Sequence, residues 1–187
     1  MNPYLIFNVI FGIVTTVLGG LFLTRKKMIF SRRYSMAFVV TVMFGINAIN
    51  PVWTNKHLLI MGALYLALLI FSYIIMTGVY DAINIQKRTM VSIITNVLDE
   101  KGIEYEIVDN SLVLADYGRE EINYKGFSDS CGINFRGIMK LPFYNDVKDE
   151  FISRVLVNKE KAFPFTGALV VVIGILLILI GLVVEFN

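Results

Sequence analysis

Cysteine and histidine are nearly missing from this chain: its 187 residues include one of each, Cys131 and His57. A single cysteine closes no disulfide within the chain. Without paired Cys or His, zinc, haem and iron–sulfur sites have almost no support in the sequence. No metal and no cofactor is therefore expected. Charge is scarce as well, at 17% of residues against about 25% in ordinary globular domains. Only four prolines occur, with no repeat and no low-complexity tract. The spacings of an EF-hand loop, a Walker loop and a dinucleotide fingerprint are all lacking.

What fills the chain is apolar. Hydrophobic residues make up 56%, and mean hydropathy is +0.68. A helix needs roughly 20 apolar residues at about 1.5 Å each to cross about 30 Å of hydrocarbon. Four charge-free stretches, 4–24, 34–50, 58–80 and 165–184, predict four transmembrane helices. Three lie in residues 1–80 and the fourth in 163–187. The stretch 34–50 is the shortest and carries Thr41, Asn47 and Asn50.

The charges near these stretches orient them. Arg25, Lys26, Lys27, Arg32 and Arg33 follow the first stretch, whereas the next short loop holds only Lys56. By the positive-inside rule the first loop is cytoplasmic, next to lipid headgroups, and both termini are outside a plasma membrane. Because the basic residues follow the first apolar run, it reads as an uncleaved anchor rather than a signal peptide.

Residues 81–162 have a different texture. Apolar positions at helical spacing predict a helix over 89–101, which continues the third span. Alternation and turn residues predict strands at 103–108, 112–117, 122–127 and 131–140. A closing helix follows at 146–158, with Asn145 as its N-cap. The expected fold is thus four transmembrane helices with an inserted cytoplasmic α+β domain: helix, four-stranded antiparallel sheet, helix.

Catalytic constellations are absent. The expected topology puts His57 and Cys131 on opposite sides of the membrane, and Cys131 on an apolar strand face reads as a small buried hydrophobe. Asp99–Glu100, Glu120–Glu121 and Asp149–Glu150 are sequence neighbours whose side chains diverge. Glu104 and Glu106 share the solvated face of a strand. These carboxylates are the sole foothold for an enzyme, so no catalytic residue is assigned.

Inside the spans the signal concerns packing. Gly12, Thr16 and Gly20 form one small-residue stripe, Ala37, Thr41 and Gly45 a second, and Gly167, Gly174 and Gly181 a third. Such stripes let helix backbones approach closely within a monomer, or alternatively along a homodimer seam through the fourth helix. Asn8 and Asn47 fall at similar depth in adjacent antiparallel spans and can pair.

The net charge of +2 is two unlike parts. Residues 79–164 carry 11 basic and 14 acidic residues, a net of −3; the remainder carries six basic residues and Glu185, a net of +5. A mildly acidic domain offers nothing to nucleic acid. The expected function is a non-catalytic integral membrane protein whose cytoplasmic domain binds a protein partner or regulates a membrane process. The alternative is one subunit of an oligomeric transporter or channel for a small solute.

Overall fold

The computed structural model describes the backbone of residues 3–48 and 55–186; the side chains of residues 3–5, 45–48, 55, 58 and 184–186 are left undescribed. Elements follow in the order α1 (Pro3–Leu23), β1 (Met28–Ser31), α2 (Arg32–Ala48), α3 (Asn55–Ile75), β2 (Val79–Ile83), α4 (Lys87–Glu100), β3 (Glu106–Val108) and β4 (Ser111–Leu114). Then come β5 (Glu120–Phe127), β6 (Ser130–Asn134), α5 (Tyr144–Val157) and α6 (Phe165–Phe186). The chain forms two compact units. One comprises residues 24–32 and 77–166; the other holds the remaining residues of α1, α2, α3 and α6.

The first unit is built on a six-stranded antiparallel sheet in the order β1-β2-β6-β5-β4-β3. Alternation sends Ala82, Cys131, Ile133, Tyr124, Ile122, Leu112 and Leu114 to one face, where α4 and α5 cover them. Met90, Ile93, Ile94, Val97 and Leu98 recur at helical spacing on α4, and all five are buried. Val147, Phe151 and Val155 do the same for α5. Each fully buried aliphatic side chain contributes about 1.5–3 kcal/mol, and this single layered core holds the unit together. The α4 helix stops at Gly102 (φ +64), where the Ile103 N–H returns to the Leu98 carbonyl at 3.0 Å. Only glycine takes that left-handed turn without strain.

This architecture corrects the expectation of four transmembrane helices and a four-stranded domain. Among the described residues there are six helices, six strands and two helices long and apolar enough to cross a membrane, Ile6–Leu23 and Phe165–Val183. The apolar part of α3, Leu59–Ile75, has 17 residues, and α2 is also 17 residues long and begins with two arginines. At about 1.5 Å per residue each covers about 25 Å, short of the hydrocarbon.

The missing length has gone into the sheet. Residues 79–83, read as the end of a third span and the start of the domain, form β2, which separates α3 from α4. Residues 28–31, read as part of a basic loop, form β1 and pair with it in register Met28↔Ile83 to Ser31↔Tyr80. A short apolar run looks the same whether lipid or a neighbouring strand takes it up. Only the β6 partner, with Ala82 opposite Cys131, makes it a central strand.

Smaller differences have similar causes. The strand expected at 103–108 is reduced to Glu106–Val108, at the sheet edge beyond the helices, with Ile107 59% exposed. The strand expected at 131–140 ends at Asn134, because the chain leaves the sheet in a 3-10 turn over Arg136–Ile138, where the Ile138 N–H donates to the Phe135 carbonyl at 3.1 Å. Asn145 does not cap α5: the cap position is Phe143, and the Asn145 Oδ1 accepts from Lys148 Nζ at 3.2 Å.

In the helical unit, α1 and α6 approach through small residues. A Cβ on Gly12 would lie 2.6 Å from Ile178 Cγ1 and 2.8 Å from the Gly174 carbonyl oxygen. A Cβ on Gly19 would lie 2.6 Å from the Val171 nitrogen. No side chain fits at those distances. On α2, the Thr41 hydroxyl bonds the Ala37 carbonyl at 2.7 Å and meets the Tyr65 hydroxyl of α3 at 2.9 Å.

Candidate functional site

The helices cover one face of the sheet, and the opposite face carries a different set of side chains. Asp81 on β2, Gly132 on β6 and Lys125 on β5 are successive cross-strand partners there, and Asn134 is paired with both Val79 and Asn123. Polar residues alternate with the core positions along β5, which explains why its sequence Glu-Glu-Ile-Asn-Tyr-Lys shows burial at every second residue.

Over this face lies an open groove of about 440 Å³, bordered by Arg32, Asn110, Asn123, Lys125, Gly132 and Asn134. Arg32 is fixed against Asp81: its Nε donates to Oδ2 at 2.9 Å and to Oδ1 at 3.1 Å, and Nη2 makes a further short bond to Oδ1. The Asp81 carboxylate holds the guanidinium pKa above its ordinary value, against the opposing effect of burial. Gly132 is what makes room for this. A Cβ there would run into Arg32 Nη2 and sit 3.2 Å from Asp81 Oδ1, so the guanidinium lies over bare strand backbone.

The amides of the groove spend their oxygens inside the fold. Asn123 Oδ1 accepts from the Ser111 hydroxyl at 2.8 Å, and Asn134 Oδ1 accepts from the Arg136 N–H at 3.0 Å. Asn110 Oδ1 takes a short bond from Lys87 Nζ, whose ammonium also stands 5.3 Å from the Tyr124 ring centroid. With the carbonyl ends engaged, the groove presents N–H groups from Asn123 and Asn134 together with the Lys125 ammonium. Its lining contains no carboxylate and no thiol. The arrangement can bind an acceptor; it contains no nucleophile–base pair.

The residues singled out from sequence are scattered. Cys131 is 2% exposed on the helix-covered face, and burial pushes its thiol up to about 11, with Lys87 pulling the other way and Asp81 adding slightly. Glu104, Glu106, Glu120 and Glu121 are all exposed: Glu104 precedes β3, Glu106 lies on β3, and Glu120 and Glu121 are neighbours at the start of β5. Glu100 is engaged by Arg154, which reaches across from α5 to donate from Nη1 to Oε1 at 2.7 Å and bonds Glu150 at 2.6 Å through Nε. His57 is exposed near the start of α3. Among the described residues no three His, Cys, Asp or Glu side chains gather to hold a metal.

Within the helical unit, Gly12, Thr16, Gly167 and Gly174 stand at the α1–α6 approach, where a Cβ on Gly174 would meet the Thr16 nitrogen at 2.6 Å. Gly20 has no atom near an added Cβ, and Gly19 makes the close contact in its place. Gly181 is buried on α6. Ala37 lies on α2 one turn before Thr41. Asn8 is half-buried on α1; the side chains of Asn47 and Gly45 lie outside the described residues, so the Asn8–Asn47 pair does too. The five basic residues after α1 separate: Arg32 serves the sheet, while the Arg33 guanidinium stands over the rings of Tyr34 and Tyr73 at 5.0 and 5.1 Å.

One buried carboxylate carries no local sequence signal. Asp129, in the two-residue turn between β5 and β6, is 1% exposed. Its carboxylate accepts from the Thr166 backbone N–H at 3.0 and 3.2 Å and from the Thr166 hydroxyl at 2.7 Å. It thereby caps the first turn of α6, 37 residues downstream, and distance in sequence hides such a cap. No protein-family model matches the chain, and no curated protein and no solved structure matches it either.

Proposed function

We propose that this chain is a non-catalytic, membrane-anchored binding module whose six-stranded domain takes an acceptor-rich partner on the open face of its sheet. The observation that carries this reading is the N–H-rich groove: two asparagine amides with their oxygens already bonded, beside Lys125 and a guanidinium fixed by Asp81. Such a set suits the carbonyls of an extended peptide or a carboxylate on a partner protein.

Anchoring rests on α1 and α6. Both carry more than 17 consecutive residues of high hydropathy, and their apolar side chains, among them Ile10, Val17, Val172 and Leu176, are largely exposed rather than buried as in a soluble core helix. Arg25, Lys26 and Lys27 follow α1 directly, and Lys159 and Lys161 precede α6, so the positive-inside rule puts the domain in the cytoplasm and both termini outside. The hairpin of α2 and α3 leaves this orientation unchanged, since its two ends enter β1 and β2, which pair with each other.

A photo-crosslinking residue placed at Asn123 or Lys125 of the full chain in native membranes tests the reading. Discrete adducts from these positions are expected, with none from Thr95 or Lys148 on the helical side. Absence of adducts, or equal labelling from both sides of the domain, would refute it.

A further inference from the structure

A second concavity of the sheet-bearing unit is chemically unlike the groove. The segment leaving α1 and the segment leaving α5 form its two walls, an open cleft of about 760 Å³. Arg25, Lys26 and Lys27 line one side, with Lys159 and Lys161 on the other. The only acid in the lining is Glu160, and its carboxylate is engaged by the Thr89 hydroxyl. Lys27 ties the walls together: its Nζ donates to the Asn158 carbonyl at 2.8 Å and makes a short bond to the Glu160 carbonyl. Burial lowers the pKa of Lys27, with Glu160 acting in the opposite direction. Arg25, Lys26, Lys159 and Lys161 remain exposed around the cleft.

The lip of the same cleft is apolar. Leu156 and Val157, the last residues of α5, both line it and are 51% and 70% exposed. Large exposed apolar side chains beside clustered cations are unfavourable toward water alone, yet they match a surface that is anionic outside and hydrocarbon inside. Chain connectivity keeps the cleft close to the candidate spans. Thr24 follows the last residue of α1, and Lys161 stands four residues before Phe165, a reach of about 14 Å at most.

From these observations we infer that the cleft binds the phosphate of an anionic membrane lipid, with Arg25, Lys26, Lys159 and Lys161 as its ligands and Leu156 and Val157 against the acyl region. The site goes beyond the partner-binding groove and shares no residue with it. It rests on insertion of α1 and α6, which alkaline carbonate extraction checks separately. Each basic residue near an anionic surface is worth about fivefold in affinity, so loss of four weakens binding by up to several hundredfold.

The full chain in neutral detergent is titrated with phosphatidylglycerol, phosphatidylcholine or inorganic phosphate, and bound lipid is counted by native mass spectrometry. Phosphatidylglycerol is expected to bind at much lower mole fraction than phosphatidylcholine. In R25Q/K26Q/K159Q/K161Q that preference is expected to vanish, while R119Q/K140Q, which removes two cations elsewhere on the domain, keeps it. Slow alkylation of Cys131 verifies that each variant is folded. If the quadruple variant is not, K159Q and K161Q singly are each expected to weaken binding about fivefold. Equal binding of the two lipids, an unaltered quadruple variant or equal loss in R119Q/K140Q would overturn the inference. Complete displacement of phosphatidylglycerol by millimolar phosphate would instead make this a free-anion site and overturn the lipid as its ligand.

Discussion

Replacing Asp129 by alanine removes three hydrogen bonds at one stroke: two from the Thr166 backbone N–H and one from the Thr166 hydroxyl. Loss of an N-cap costs about 0.5–2 kcal/mol, and hydrogen bonds to a charged group contribute about 1.5–3 kcal/mol. Removing the carboxylate also relieves the desolvation of a group only 1% exposed. A net loss of about 2 kcal/mol follows, equivalent to about a 30-fold rise in the population of the opened β5–β6 turn. The chain carries its own probe for that opening. Cys131, two residues away and the single cysteine, is 2% exposed, and burial pushes its pKa up to about 11. At pH 8 the native thiol is therefore protected both by access and by a thiolate fraction of about one in a thousand. With reclosing faster than alkylation, the labelling rate reports the open population directly. Asp129→Ala in the full chain should label about 30-fold faster than the natural protein, and Asp129→Asn, which keeps one acceptor, less than tenfold faster. An alanine variant that labels at the natural rate would falsify the capping argument.

Gly132→Ala should displace the Arg32 guanidinium from Asp81 and lower stability by about 1–3 kcal/mol through overpacking, read as a lower melting temperature in detergent, whereas Gly118→Ala, with nothing near an added Cβ, should show only the cost of its left-handed backbone. Gly174→Leu should separate α1 from α6 and lower the melting temperature; an unchanged melting temperature with an altered oligomer mass would assign the stripe to a dimer instead. Ser128 stands at φ +53 in the two-residue β5–β6 turn, so Ser128→Gly should stabilise the domain by about 0.5–1 kcal/mol in denaturant titration. The hydrogen bond from Arg154 holds the Glu100 carboxyl below the usual carboxylate range. Its contribution is present above the unfolded value of about 4.3 and is lost as pH falls through the lower folded value; Glu100→Gln should flatten the pH dependence of the melting temperature in that window.

Legibility in the sequence followed the range of the interactions. The faces of α4 and α5 could be read at once, because Met90, Ile93, Ile94, Val97 and Leu98 repeat with the period of the helix that buries them. The hairpin β5–β6 was visible in its alternation, and so was the burial of Cys131. Harder to see was the paired state of 28–31 and 79–83. Each run is mostly apolar and only four or five residues long, and each lies beside a long hydrophobic helix whose periodicity hides its own. The groove suffered from the same distance problem, since Arg32, Asp81 and Gly132 come from three separate parts of the chain.

Composition and hydropathy alone therefore establish the lack of a disulfide within the chain, the two apolar helices α1 and α6, and the helix–strand–helix texture of 87–157. Each of these depends on residue type or on contacts a few positions apart. Tertiary structure decided which apolar runs are helix and which are sheet, and that the basic segment after α1 belongs to the domain. With Arg25, Lys26, Lys27 and Arg32 counted in, the 14 acids of the domain meet 15 basic residues, and the acidic character inferred for it disappears. It also decided that Lys159 and Lys161 stand opposite Arg25 and Lys26 across one cleft. The physical reason is that a strand is completed by partners supplied from elsewhere. β1 finds β2 across some 50 residues and β2 finds β6 across another 50, and no local pattern specifies such a pairing.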